Sequence, residues 1–176
     1  MVKMQILGSV AIFVALFNVS GEAQANLGPD AAACAAGNGP AALVRVVGLK
    51  SRAGKVRVRT FDGANSKAWF DKKKALRRTE VSIPGSGVVE ICMPVPKAGG
   101  YVMDIRHDTN GNGDSDRADG VGASGNPNIS LMDVMFGKKP PANKIVVQVG
   151  NGITNVSITM KYLQGGSFKP QQTAAR

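Results

Sequence analysis

One histidine, His107, and two cysteines, Cys34 and Cys92, are the only imidazole and thiol groups in the chain, and no C-x-x-C pair occurs. That inventory argues against a zinc site or a catalytic cysteine. No serine or cysteine stands in an elbow-type nucleophile motif, and neither a phosphate-cradling glycine loop nor a helical zinc motif is present. After residue 25 no apolar run approaches the roughly 20 residues needed to span a bilayer. Acidic side chains are also scarce, 12 against 22 Lys and Arg, for a net charge of +10.

What is present begins with an export pattern. Lys3 supplies a positive start, Met4 to Val19 is almost wholly apolar, and Ala23-Gln24-Ala25 has the small-x-small form of a signal-peptidase site. The expectation is a signal peptide over 1–25, cleaved after Ala25, and a periplasmic or secreted protein. Removing 25 of the 176 residues leaves 151, the size of one domain. Acylation of Cys34, which follows Ala31-Ala32-Ala33, is set aside because Glu22 and Asp30 intervene.

An even cysteine count in an exported chain argues for a Cys34–Cys92 disulfide, with two buried free thiols as the alternative. Closing 58 residues (92 less 34) would stabilise the fold by roughly 4 kcal/mol on the chain-entropy view.

From Ala42 onward the pattern is alternation between turns. Leu43–Val47, Lys55–Phe61, Glu80–Ile83, Val88–Met93, Tyr101–His107, Lys144–Val149 and Ile153–Leu163 read as strands. In the second, Val56 and Val58 point to the core while Lys55, Arg57 and Arg59 face outward. In the fifth, Tyr101, Met103, Ile105 and His107 share one face, and Val102, Asp104 and Arg106 the other. Phe70–Arg78 is a helical turn or a charged loop, and Asp108–Asn128 a long polar loop. About seven short strands without a long amphipathic helix predict an all-β fold, an antiparallel two-sheet sandwich over 42–163. Residues 26–41 form an N-terminal segment tethered by the disulfide, and 164–176 a disordered tail.

Val-Gly-Leu-Lys-Ser at 47–51, the Gly-Lys-Val-Arg-Val strand start, Gly-Tyr-Val-Met-Asp-Ile-Arg-His-Asp at 100–108 and Asn-Gly-Asn-Gly at 110–113 resemble a bacterial exported family called domain of unknown function 2141. The resemblance covers about Ala42 to Leu163. It implies a periplasmic β-sandwich of immunoglobulin-like or transthyretin-like type and brings no catalytic residues.

Two constellations could carry function. Asp108, Asn110, Asn112, Asp114, Asp116 and Asp119 occupy positions 1, 3, 5, 7, 9 and 12 of a calcium-type loop, with Gly113 at position 6. Ca2+ is therefore a candidate cofactor. Ser115 at position 8, the short Asp119 at position 12 and the lack of flanking helices depart from that pattern, and a solvated turn rich in Asn and Asp is the alternative. Four of the chain's acidic residues crowd into these twelve, and like charges so close need a cation or basic neighbours to compensate them.

The second constellation is basic. Arg45 to Arg78 holds twelve Lys or Arg against Asp62 and Asp71 alone. Arg45, Arg57 and Arg59 on strand faces, with Lys72, Lys73, Lys74, Arg77 and Arg78 beyond, could form one positive surface that attracts polyanions. Export removes nucleic acid from the expected partners. Lipopolysaccharide, anionic lipid, acidic glycan or an acidic protein remain, and a solvated charged face is the alternative. Trp69 and Phe70, beside the lysines, are either an apolar contact for such a ligand or core.

The expectation is a non-catalytic binding module. Two other readings stay open: a hydrolase-like enzyme using His107 and the neighbouring carboxylates, and a structural envelope domain. An enzyme requires His107 at the floor of a concave pocket, whereas a binding module requires the basic residues on one face.

Overall fold

The computed structural model describes residues 26–171. The export pattern at 1–25 and the last five residues of the expected tail lie outside them. The elements run β1 (Asn26–Leu27), α1 (Ala31–Ala35), β2 (Ala41–Val47), β3 (Lys55–Asp62), β4 (Arg77–Ser82), β5 (Val89–Pro94), β6 (Gly99–Asp108) and β7 (Gly120–Ala123). They continue α2 (Leu131–Met135), α3 (Ala142–Ile145), β8 (Val147–Val149), β9 (Ile153–Thr159), β10 (Lys161–Gln164) and β11 (Ser167–Pro170). Among the described residues no helix is long and apolar enough to cross a membrane.

Two sheets form a sandwich. The smaller has the order β1-β5-β2-β9 and the larger β11-β10-β7-β6-β3-β4, with β8 also on β6. Alternation explains the core between them. Val44 and Val46 of β2, Ile91 and Met93 of β5 and Val156 and Ile158 of β9 meet Val56 and Val58 of β3 and Met103 and Ile105 of β6. Removing this apolar surface from water is the main stabilising term, at roughly 25 cal/mol per Å².

Several details depart from expectation. The smaller sheet is mixed, because β9 runs parallel to β2 and β1 parallel to β5. The anticipated strand Ile153–Leu163 breaks at Met160: β9 belongs to the smaller sheet and β10 to the larger. The supposed loop 108–128 contains β7, whose glycines hide its strand character. A side chain at Gly120 would strike the Tyr162 ring at 2.5 Å, so glycine there is what lets Tyr162 pack. Residues 164–170 are not a disordered tail: β10 and β11 pair around Gly165-Gly166, both at positive φ (57° and 80°), as a two-residue hairpin requires.

The disulfide is present. Cys34 and Cys92 are bonded with Cα atoms 5.8 Å apart. Cys92 lies on the outward face of β5, so the bond pins α1 against the back of the smaller sheet in a small cluster with Ala41.

The larger sheet's outer face departs most consequentially. Expected to face water, it is covered by the segments 63–76 and 124–146. Phe61, Trp69, Val102, Ala123 and Ile145 form a second buried cluster there. Both faces of β6 are therefore buried, which no single strand's alternation reveals.

Candidate functional site

Strand register arranges the covered face into two cross-strand rows. One reads Glu80, Arg57, Arg106, Val121 across β4, β3, β6 and β7, and the next reads Arg78, Arg59, Asp104, Ala123. Three arginines and one aspartate thus stand together at the sheet's centre.

Their partners differ. Arg59 is buried and bidentate to Asp104: its Nε donates to Oδ1 at 2.9 Å and its Nη2 to Oδ2. Its guanidinium also sits 5.4 Å from the Phe61 ring centroid. Burial pushes the Asp104 carboxyl up, and Arg59 works against that rise. Arg106 is buried too, and its Nη atoms donate to Ser115 Oγ (2.8 Å), the Gly113 carbonyl (2.8 Å) and Asp108 Oδ2 (3.3 Å). Among the described residues Arg57 alone of the three has no hydrogen-bond or ion-pair partner, and its Nε is wholly buried. Burial first, then the charges of Arg106 and Arg59, pull its pKa below the usual guanidinium value. Arginine stays protonated regardless, so the shift marks a cation held under repulsion.

Above this floor lies a cleft of about 460 Å³. Its walls include Trp69, Phe70, Val121, Ala123, Ile129 and Val134. Trp69 Nε1 donates to the Asp62 carbonyl at 2.9 Å, which fixes the ring. Phe70 holds φ of +67°, a conformation rare for a bulky side chain, and makes an edge contact with Phe61. Trp69 and Phe70 are thus at once core and cleft wall, which joins the two readings offered for them.

The basic stretch does not form one surface. Arg45 projects from the back of the smaller sheet, where its Nε donates to Glu90 at 2.8 Å. Arg77 is bidentate to Asp30, and Arg78 pairs with Glu80 at 2.9 Å. Lys72, Lys73 and Lys74 are exposed in the covering segment, with Lys74 3.7 Å from Asp71. Only Arg57 and Arg59 of the eight are brought together at the cleft. Arg106 and Asp104 join them unanticipated, although the alternation of Tyr101–His107 had placed both on that face.

The acidic loop closes on itself. Asp108 accepts backbone N–H groups from Gly111 and Gly113, each at 2.8 Å. Asp119 accepts from Thr109 at 3.2 Å. Asp116 accepts from Ala118 N and the Asn110 amide, and those bonds hold its carboxyl below the usual range. Asn110 and Asn112 turn their carbonyls to the backbone of Asn112 and Asp114. Asp108 and Asp119 are buried with Arg106 between them, at 3.3 and 4.0 Å. The positive charge the acidic cluster calls for is supplied by a guanidinium, and among the described residues no three acidic, His or Cys side chains converge as a metal site.

His107 faces the sandwich core and does not line the cleft. It is 0% exposed. Its Nδ1 is 2.6 Å from Tyr162 Oη and its Nε2 2.9 Å from the Ala53 carbonyl. The carbonyl can only accept, so Nε2 carries the proton and Nδ1 accepts from the tyrosine. Burial lowers the His107 pKa and raises that of Tyr162 to about 12.

The family model for an uncharacterized protein conserved in bacteria, DUF2141, matches residues 44–157. The chain belongs to that family. The DUF2141 region contains the whole arginine floor and its walls, whereas Cys34 and the β10–β11 hairpin lie outside it. No curated protein and no solved structure matches the chain.

Proposed function

We propose that this DUF2141 protein works outside the cytoplasm as a non-catalytic β-sandwich module that binds an anionic envelope component, seating the anionic group on Arg57. The single observation carrying this reading is the unpartnered Arg57 at the floor of an apolar-walled cleft. Arg57 is half-buried with its Nε wholly buried and no carboxylate of its own beside two other guanidiniums, and a bound anion offsets the cost of that arrangement. The disulfide and the signal pattern agree with an oxidising compartment. The engagement of both His107 nitrogens in the core supports a binding role over catalysis.

The test is cosedimentation with lipopolysaccharide at low and raised salt, comparing wild type with R57Q. Binding that weakens with salt and drops about tenfold in R57Q is expected, the scale of one charge-assisted hydrogen-bond pair. Equal binding by R57Q would overturn the reading.

A further inference from the structure

Charge balance and wall chemistry narrow the kind of anion, on the premise that Arg57 is the anion seat. Arg59 is neutralised by Asp104, and Arg106 lies between Asp108 and Asp119. Asp71 and Asp133, at the cleft's edge, are paired with Lys74 and Lys138 at 3.7 and 3.6 Å, and Lys139 Nζ donates to the Ser66 carbonyl at 2.6 Å. Arg57 is therefore the one floor guanidinium without a carboxylate of its own, a planar fork, while Lys139 in the lining meets only a neutral carbonyl. A carboxylate matches that fork in charge and geometry, with no need of the Lys139 ammonium that a multiply charged phosphate would draw on.

Between the charged floor and the charged residues of the lining, the walls are apolar. Two aromatic and several aliphatic side chains wall it, and its volume falls within the range of small-molecule sites, roughly 300–1,000 Å³. The apolar character continues onto the lip. α2 exposes Met132 (55%) and Met135 (68%), and Phe136 beyond it is 76% exposed. Large apolar side chains grouped in water mark an interaction site more often than an ordinary surface. The same segment gives Asp133, Val134 and Gly137 to the cleft lining, so these exposed side chains stand on an element that borders it.

We infer that the cleft binds an amphipathic monocarboxylate, an apolar chain ending in one carboxylate, of which a medium-chain fatty acid is the simplest member. The carboxylate takes both Nη atoms of Arg57 as donors, and the chain lies along Trp69, Val121 and Ile129 toward α2.

Trp69 is the only tryptophan in the chain and lines the cleft, so its fluorescence reports occupancy. The experiment titrates wild type, R57Q and R57K with decanoate below its micellar concentration, and in parallel with decanol, acetate, decyl phosphate and inorganic phosphate. Calorimetry on the same samples guards against quenching without binding. Saturable decanoate binding is expected, weakened at least tenfold in R57Q and less in R57K, with decanol tenfold weaker and acetate undetectable in that range. Decanol as tight as decanoate, or R57Q indistinguishable from wild type, overturns the inference. Decyl phosphate tighter than decanoate overturns the carboxylate class. Inorganic phosphate bound through Arg57 with decanoate ignored sinks the inference and spares the anion seat, whereas failure of every anion removes both.

Discussion

Arg57 of β3 and Arg106 of β6 stand directly opposite each other across an antiparallel strand pairing, two like charges in one cross-strand row. Such pairs destabilise a sheet by up to about 1 kcal/mol. Arg106 answers the repulsion through Asp108, Ser115 and Gly113, and Arg57 has no equivalent.

Replacing Arg57 should therefore stabilise the empty protein. R57M keeps an apolar stem and removes the charge, and a gain of about 0.5–1 kcal/mol, or about 2–3 °C in melting temperature, is expected alongside the loss of anion binding. A drop in melting temperature would mean that Arg57 is held by contacts that outweigh the repulsion.

The acidic loop should not depend on calcium, because Arg106 already supplies the positive charge between Asp108 and Asp119. Thermal melts in calcium and in chelator are expected to coincide, and R106Q should cost about 3 kcal/mol by leaving two buried carboxylates uncompensated. A wild-type melting temperature several degrees higher in calcium would instead make the loop a cation site.

Much of this was legible from alternation alone. Val56 and Val58 point inward, His107 shares the face of Tyr101 and Met103, and the cysteine count anticipates the Cys34–Cys92 bond. The cover over Arg57 and Arg59 was not, because Ile129 and Ile145 come from segments far along the chain from β3 and Trp69 folds back from the loop that follows it. Nor did position counting in the acidic loop reveal its compensation: it tallies oxygens from Asp108 onward, and the decisive cation, Arg106, lies two residues before the count begins. The parallel pairing of β2 with β9 likewise depends on chain path across the whole larger sheet.

Acid should destabilise the fold through His107. Its pKa is lowered by burial below the ordinary 6.5, so the unfolded chain binds a proton that the folded chain refuses. Stability is full above 6.5 and is lost as pH falls from there toward the lower folded value. H107Q should be less stable at neutral pH yet lack this slope. Parallel pH profiles for the two proteins would show that another group governs the loss.

Reduction should be costly. Opening the 58-residue loop between Cys34 and Cys92 releases up to about 4 kcal/mol of chain entropy to the unfolded state and frees α1 from the smaller sheet. Denaturant melts with and without reductant measure this, and coincident curves would mean that α1 is held by packing alone.

The central claim, that Arg57 is an anion seat, is tested most directly by following the arginine Nε–H resonances by NMR as decanoate, and in a second sample inorganic phosphate, is added. A saturable movement of the Arg57 signal is expected while those of Arg59 and Arg45, each already paired with a carboxylate, stay in place. An Arg57 signal that stays fixed with both anions, or moves only as much as that of Arg45, would contradict the claim.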